Sequence, residues 1–79
     1  MVIKILGTGC AKCKKLEENV KAALAELGMQ AEVEKVAELN KIMDYGVMLT
    51  PALVIDEKVI AAGKLLSAND IKTILQKGV

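Results

Sequence analysis

The sequence predicts an α/β fold: a four-stranded mixed sheet flanked by three helices, in the order β-α-β-α-β-β-α. Three observations predict it. Val2–Leu6 and Ala52–Ile55 are short apolar runs of the length of buried strands. Residues 11–27 repeat apolar side chains at steps of three and four, the spacing of one helix face. A hairpin pattern followed by a second helical pattern closes the chain. At 79 residues, one domain spanning 1–79 is expected. Such a chain buries only about 60% of its unfolded surface, so the core must be thin.

Each element has a local reason. In Val2–Leu6 only Lys4 interrupts the apolar run, which suits a central strand. Gly7-Thr8-Gly9 is a turn. From Ala11 to Leu27 the stripe is Cys13, Leu16, Val20, Ala23, Leu24 and Leu27. Glu17 with Lys21, and Lys14 with Glu18, are opposite charges four apart on its exposed side. Gly28 is placed to end that helix in a left-handed conformation. Ala31–Val36 alternates and is polar on one side, as an edge strand is. Glu38–Tyr45 carries Leu39, Ile42 and Met43 on one face and stops at Gly46. Thr50-Pro51 interrupts the chain before Ala52–Ile55. Asp56-Glu57-Lys58 turns that strand into Val59-Ile60-Ala61, without the glycine usual in tight hairpins. Ser67 and Asp70 resemble a capping box, and Ile71, Ile74 and Leu75 give Ala68–Lys77 its apolar face. The two most apolar strands should be the central pair. The first and second strands, joined through a helix, should run parallel.

Composition excludes several functions. Lys numbers 11 with no Arg, acids number 10, and the net charge is +1, a near-balance that argues against a strongly basic nucleic-acid binder. Tyr45 is the only aromatic residue, which leaves no platform for stacking bases. No His is present, which removes imidazole catalysis and most zinc sites. No apolar run approaches the roughly 20 residues of a membrane span. The first residues are too short an apolar run for a secretory leader. A cytoplasmic setting is therefore expected.

The chemistry-bearing feature is Cys10-Ala11-Lys12-Cys13, at the handover from a buried strand to a helix. Unsatisfied N–H groups at a helix start carry partial positive charge and favour an anion. A thiol there ionises more readily, and the thiolate is the nucleophile. Residues three apart on a helix are neighbours, so a disulfide can close across the first turn. So small a ring adds little stability and suits reversible opening. Cys13 continues the Leu16/Val20 stripe and should be shielded, which leaves Cys10 as the exposed thiol. Lys12, Lys14 and Lys15 oppose the usual charge preference of a first turn, as groups holding a Cys10 thiolate would. They are equally what solvated lysines look like in a lysine-rich chain. The pair itself admits three uses: inert core thiols, redox exchange, or a soft metal such as Cu(I). Two thiolates without His cannot close a four-ligand zinc site within one chain, though they could share a metal between chains.

The segment from Leu6 through Gly7-Thr8-Gly9-Cys10-Ala11-Lys12-Cys13, with Thr50-Pro51-Ala52-Leu53-Val54-Ile55-Asp56, resembles the thioredoxin/glutaredoxin superfamily. Within it, the chain is similar to the small group called redox-active disulfide protein 2. The likeness covers nearly all 79 residues. It implies a minimal thioredoxin/glutaredoxin-like fold and a thiol–disulfide oxidoreductase. Cys10 matches the attacking cysteine and Cys13 the resolving one. Pro51 matches a proline that is cis in this fold, with Thr50 beside the cysteines offering its backbone to a bound peptide. The resemblance further implies protein disulfides as substrates, a thioredoxin reductase-like flavoenzyme as electron donor, a monomer, and no cofactor beyond a Cys10–Cys13 disulfide. The chain departs from larger relatives in three ways. No Trp precedes Cys10, Ala11-Lys12 lacks an aromatic or proline, and the first strand has no carboxylate to sit beneath Cys13. Tyr45 fits either the site or the core boundary. The competing class is a Cu(I) carrier of the heavy-metal-associated type, using the same two cysteines. That type places Met two positions before its first Cys, where this chain has Thr8, and its fold ends in a strand.

Overall fold

In the computed structural model, which describes residues 1–9 and 11–77, the chain runs β1 (Val2–Leu6), α1 (Ala11–Leu27), β2 (Glu32–Val36), α2 (Leu39–Asp44), β3 (Ala52–Ile55), β4 (Lys58–Ala62) and α3 (Ala68–Lys77). The four strands form one sheet in the order β2-β1-β3-β4. β1 pairs parallel with β2 and antiparallel with β3, and β3 pairs antiparallel with β4. The two apolar runs are thus the central strands, and every residue of β3 is buried. Burial on both faces explains why β3 does not alternate in sequence.

The sheet carries two unequal layers. On one face Ile3, Ile5, Leu53 and Ile55 pack against Leu16, Val20, Ala23 and Leu24 of α1 and Ile71 and Leu75 of α3. On the other, Leu6, Ala52 and Val54 pack against Ile42 of α2 and Val47. Here the expected α2 face needs correction. Only Ile42 is buried, and Leu39 and Met43 are exposed by 61% and 62%. At 6 residues, α2 makes under two turns, too few to set a second row of side chains against the sheet.

Lys4 emerges on the α2 face, and its ammonium escapes burial by reaching Tyr45 Oη at 2.9 Å and Glu57 Oε1 at 2.7 Å. The hydrogen bond to Glu57, then that to Tyr45, holds the Lys4 ammonium well above the ordinary lysine range. The same bond from Lys4 holds the Glu57 carboxyl below its ordinary value. Tyr45 also donates to Glu57, so its hydroxyl belongs to this cluster.

Local signals at the helix ends are realised. Gly28 has φ +65°, its N–H bonds to the Ala25 carbonyl, and the Met29 N–H bonds to the Leu24 carbonyl, a Schellman end for α1. Asp70 N–H donates to Ser67 Oγ and Ser67 N–H to the Asp70 carboxylate, closing the capping box of α3. Such a cap is worth about 1 kcal/mol. The charge pairs on α1 differ from expectation. Glu18 meets Lys15 at 3.9 Å rather than Lys14, using the i,i+3 spacing. Glu17 does meet Lys21, but it is turned towards β2, where it also meets Lys35 at 3.3 Å.

The β3–β4 loop is two residues long, with Asp56 at φ 48° and Glu57 at φ 67°. Both positive values are those of a type I′ turn, made here without glycine. The Asp56 carboxylate accepts the Val2 N–H at 2.9 Å, and Asp56 N–H bonds to the Val2 carbonyl. Glu57→Gly and Glu57→Ala both remove the contact with Lys4, but only glycine relieves the left-handed backbone. The glycine variant is therefore expected to melt above the alanine variant, by about 4 °C or more. Calorimetry of the two variants side by side checks this.

Candidate functional site

β1 ends by handing the chain to a glycine-rich turn, and the sulfur chemistry sits where that turn enters α1. Gly7 is buried, and its N–H donates to the Val36 carbonyl at 2.9 Å, carrying the ladder one residue past β1. Cys13 lies in the first turn of α1, 4% exposed. Its Sγ packs directly on the backbone of Gly7, where an added Cβ would overlap the sulfur. Thr50 approaches the same point, its Cβ lying 3.9 Å from where a Gly7 Cβ would be. The structure thus brings Gly7, Cys13 and Thr50 together. The shielding expected of Cys13 is present. Cys10, expected to be the exposed thiol, lies outside the described residues.

The loop that brings Thr50 here is firmly built. The Thr50–Pro51 peptide bond is cis, as the resemblance implies. Pro51 is buried while Thr50 is exposed. The Pro51 carbonyl accepts the Gly63 N–H at 2.9 Å, and Leu49 packs against Gly63 so closely that a Cβ there would meet its own at 2.8 Å. Beside Thr50 a groove of about 260 Å³ is lined by Thr8, Leu39, Ile42, Met43, Val47 and Met48. Met48 is 95% exposed and Leu49 65%. The α2 residues that failed to reach the core, Leu39 and Met43, form a wall of this groove. A signal for it existed in the sequence: Met48-Leu49, apolar residues directly before Thr50-Pro51, with no periodicity to bury them.

The first turn of α1 has no acidic residue, and Lys12, Lys14 and Lys15 are all exposed. Lys12 therefore stands in solvent at the helix start. Lys14 instead lines a cavity of about 240 Å³ shared with Cys13, Gly7, Gly9, Ile5, Ala37 and Lys35. Lys35 was not among the expected site residues. Its signal was its place in the alternation of β2, two residues after Val33. Desolvation pushes the Glu17 carboxyl up, but the hydrogen bond from Lys35 and the charges of Lys21 and Lys35 outweigh it, and its pKa falls below 4.5. Tyr45, engaged with Lys4 and Glu57, is committed to the other sheet face. Among the described residues, no three His, Cys, Asp or Glu side chains are grouped to hold a metal, and no helix is long and apolar enough to cross a membrane.

Comparison with known proteins agrees with this geometry. Residues 1–76 match the thioredoxin domain family. The chain belongs to the thioredoxin family. It is 43% identical over 75 residues to a thioredoxin of Methanothermobacter thermautotrophicus, covering 95% of this chain and 97% of that one. It is also 43% identical over 76 residues to a thioredoxin of Methanocaldococcus jannaschii, covering 96% of this chain and 87% of the relative. The molecule is a thioredoxin-like redox protein. Among the described residues the last element is the helix α3, whereas the heavy-metal-associated fold ends in a strand.

Two outcomes are expected from the site's packing and charge. Gly7→Ala forces the Cys13 sulfur from its seat, and overpacking of this kind destabilises by about 1–3 kcal/mol; urea unfolding measures the loss. Glu17 has a folded-state pKa below its unfolded one, so its contribution is complete above about pH 4.5 and disappears as the pH falls through the lower, folded value. Glu17→Gln should lower Tm at neutral pH by a few degrees, on the order of 2–4 °C. The gap to wild type should close in acid, as a pH series of melting curves will register.

Proposed function

We propose that this protein is a thiol–disulfide oxidoreductase that reduces protein disulfides by cycling between a Cys10–Cys13 disulfide and a dithiol. The observation that carries the reading is the seat of Cys13. In a thioredoxin-family chain, the second sulfur of a Cys-x-x-Cys pair is buried in the first turn of a helix, against Gly7 and near Thr50, whose bond to Pro51 is cis. Cys10 precedes Ala11, the first residue of α1, where helix N–H groups favour a thiolate. Cys10 attacks the target disulfide and Cys13 then attacks the mixed disulfide, releasing the reduced product. Lys12, exposed at the same helix start, adds positive charge that favours the Cys10 thiolate.

The exposed Thr50 lends its backbone to the bound peptide, with Pro51 setting the loop. The neighbouring groove of Leu39, Met43 and Met48 takes the peptide's apolar side chains. Electrons come from a thioredoxin reductase-like flavoenzyme, and the pair of cysteines is itself the redox centre. The protein works as a monomer in the cytoplasm.

Reduction of a protein disulfide with a dithiol donor tests the roles. Cys10→Ser should fall to the rate of the control without protein. Cys13→Ser should trap the substrate as a mixed disulfide on Cys10, seen by mass spectrometry under non-reducing conditions. Wild-type turnover by Cys10→Ser would overturn the assignment.

A further inference from the structure

The chain has 4 methionines, and the fold divides them between the two ends of the sheet. Met1 precedes β1 and Met29 follows the stop of α1, at the end where the Glu32 N–H donates to the Met1 carbonyl. Met29 packs against the main core. Met43 and Met48 lie at the opposite end, where they line one groove with Thr8 and Thr50. Met43 is 62% exposed and Met48 95% exposed.

Two exposed thioethers in one groove need a reason, since leucine supplies comparable apolar surface. An unbranched thioether side chain adapts to apolar partners of different shape. That suits a groove continuous with Thr50, whose backbone is the proposed hold on the peptide. It also carries a liability that leucine lacks. A thioether oxidises to a sulfoxide, which is polar and chiral. Leu39, Ile42 and Val47 give the groove no donor, and its only side-chain hydroxyls are those of Thr8 and Thr50. A sulfoxide oxygen beyond their reach, once covered by an apolar peptide side chain, loses its water and gains no partner.

We propose that Met43 and Met48 form a peroxide-sensitive modification site whose oxidation weakens the binding of apolar peptide segments; the inference rests on the peptide groove proposed above. A thioether sulfur attacks one oxygen of hydrogen peroxide and the O–O bond breaks. The sulfur keeps that oxygen as a sulfoxide, and its proton passes to the departing hydroxide to give water. The sulfur loses two electrons and the peroxide gains two, with no part for Cys10 or Cys13. Reversal takes a methionine sulfoxide reductase and a dithiol: the sulfoxide oxygen leaves as water while two thiols become a disulfide. Met48, standing almost wholly in solvent, is the first target and Met43 the second.

The test applies hydrogen peroxide to the disulfide form, so that the thiols are spared, and removes it before the protein is reduced and assayed. Peptide mass spectrometry should find sulfoxide at Met48 first, then at Met43, with Met29 last. Binding is read without exchange chemistry, by fluorescence anisotropy of a labelled peptide in which leucines flank a serine placed where a cysteine would be. Its Kd should rise about five- to tenfold on oxidation, and methionine sulfoxide reductases acting on both epimers should restore it. In turnover, KM for the matching leucine-flanked peptide disulfide should rise with kcat unchanged. Hydroxyethyl disulfide, which has no side chain to place in the groove, should be reduced at the same rate before and after. The Met43→Leu/Met48→Leu double variant keeps Met1 and Met29 as internal controls. It is compared with itself before and after peroxide, whatever its starting affinity, and its Kd should not move. Oxidation of Met29 ahead of Met48, a Kd unmoved by sulfoxide at Met43 and Met48, an equal response in the double variant, an equal loss with hydroxyethyl disulfide, or no peptide binding before peroxide overturns the proposal. Reduction of neither disulfide by wild type, with the Kd response intact, would sink the exchange reading alone.

Discussion

The thiol end of the molecule depends on one contact, the Cys13 sulfur lying flat against the backbone of Gly7. A helix that follows a central strand must fold back over that strand, and its first turn can come this close only where the residue just past the strand has no side chain. Gly7 meets both demands. Its N–H extends the pairing with β2, and its missing Cβ leaves the room the sulfur occupies. The burial of Cys13, the closeness of Thr50 and the cavity shared with Lys35 all follow from this approach.

The same sheet explains the two lysines that break its apolar rows. Lys4 sits in a central strand, yet it reaches Tyr45 and Glu57 on the α2 side and so keeps its charge hydrated and paired. Lys35 sits in an edge strand on the α1 side and is met by Glu17. Neither lysine is a flaw in a hydrophobic pattern. Each long stem crosses apolar surface while its ammonium finds a carboxylate at the rim.

How much of this was legible depends on the range of the interactions concerned. β1, β3, the α1 stripe, the stop at Gly28 and the Ser67–Asp70 cap are written in short windows of sequence, and all of them form. The burial of Cys13 was legible too, because it continues the stripe of Leu16 and Val20. The left-handed Asp56–Glu57 turn was hidden because its support is distant: Val2 meets Asp56, and Lys4 meets Glu57. The outward turn of Leu39 and Met43 was hidden because helical spacing alone cannot tell how many turns a sheet will cover. The cavity shared by Lys35 and Cys13 joins residues from two elements, and the β1–β2 register that creates it is set by pairing across the sheet rather than by neighbours in the chain.

The two layers differ in thickness, and that difference divides the labour of the molecule. Cys13 belongs to α1, whose face shares one continuous core with α3. The wall of the apolar groove belongs to α2, which is fastened by little more than Ile42 and the residues around it. Segments with few buried contacts open at the least free energy. A stiff half therefore seats the sulfur while a pliant half presents the surface beside it. For the peptide binding proposed above, fit to contour can be loose on the pliant side, which leaves discrimination to the unyielding backbone around Gly7 and Pro51.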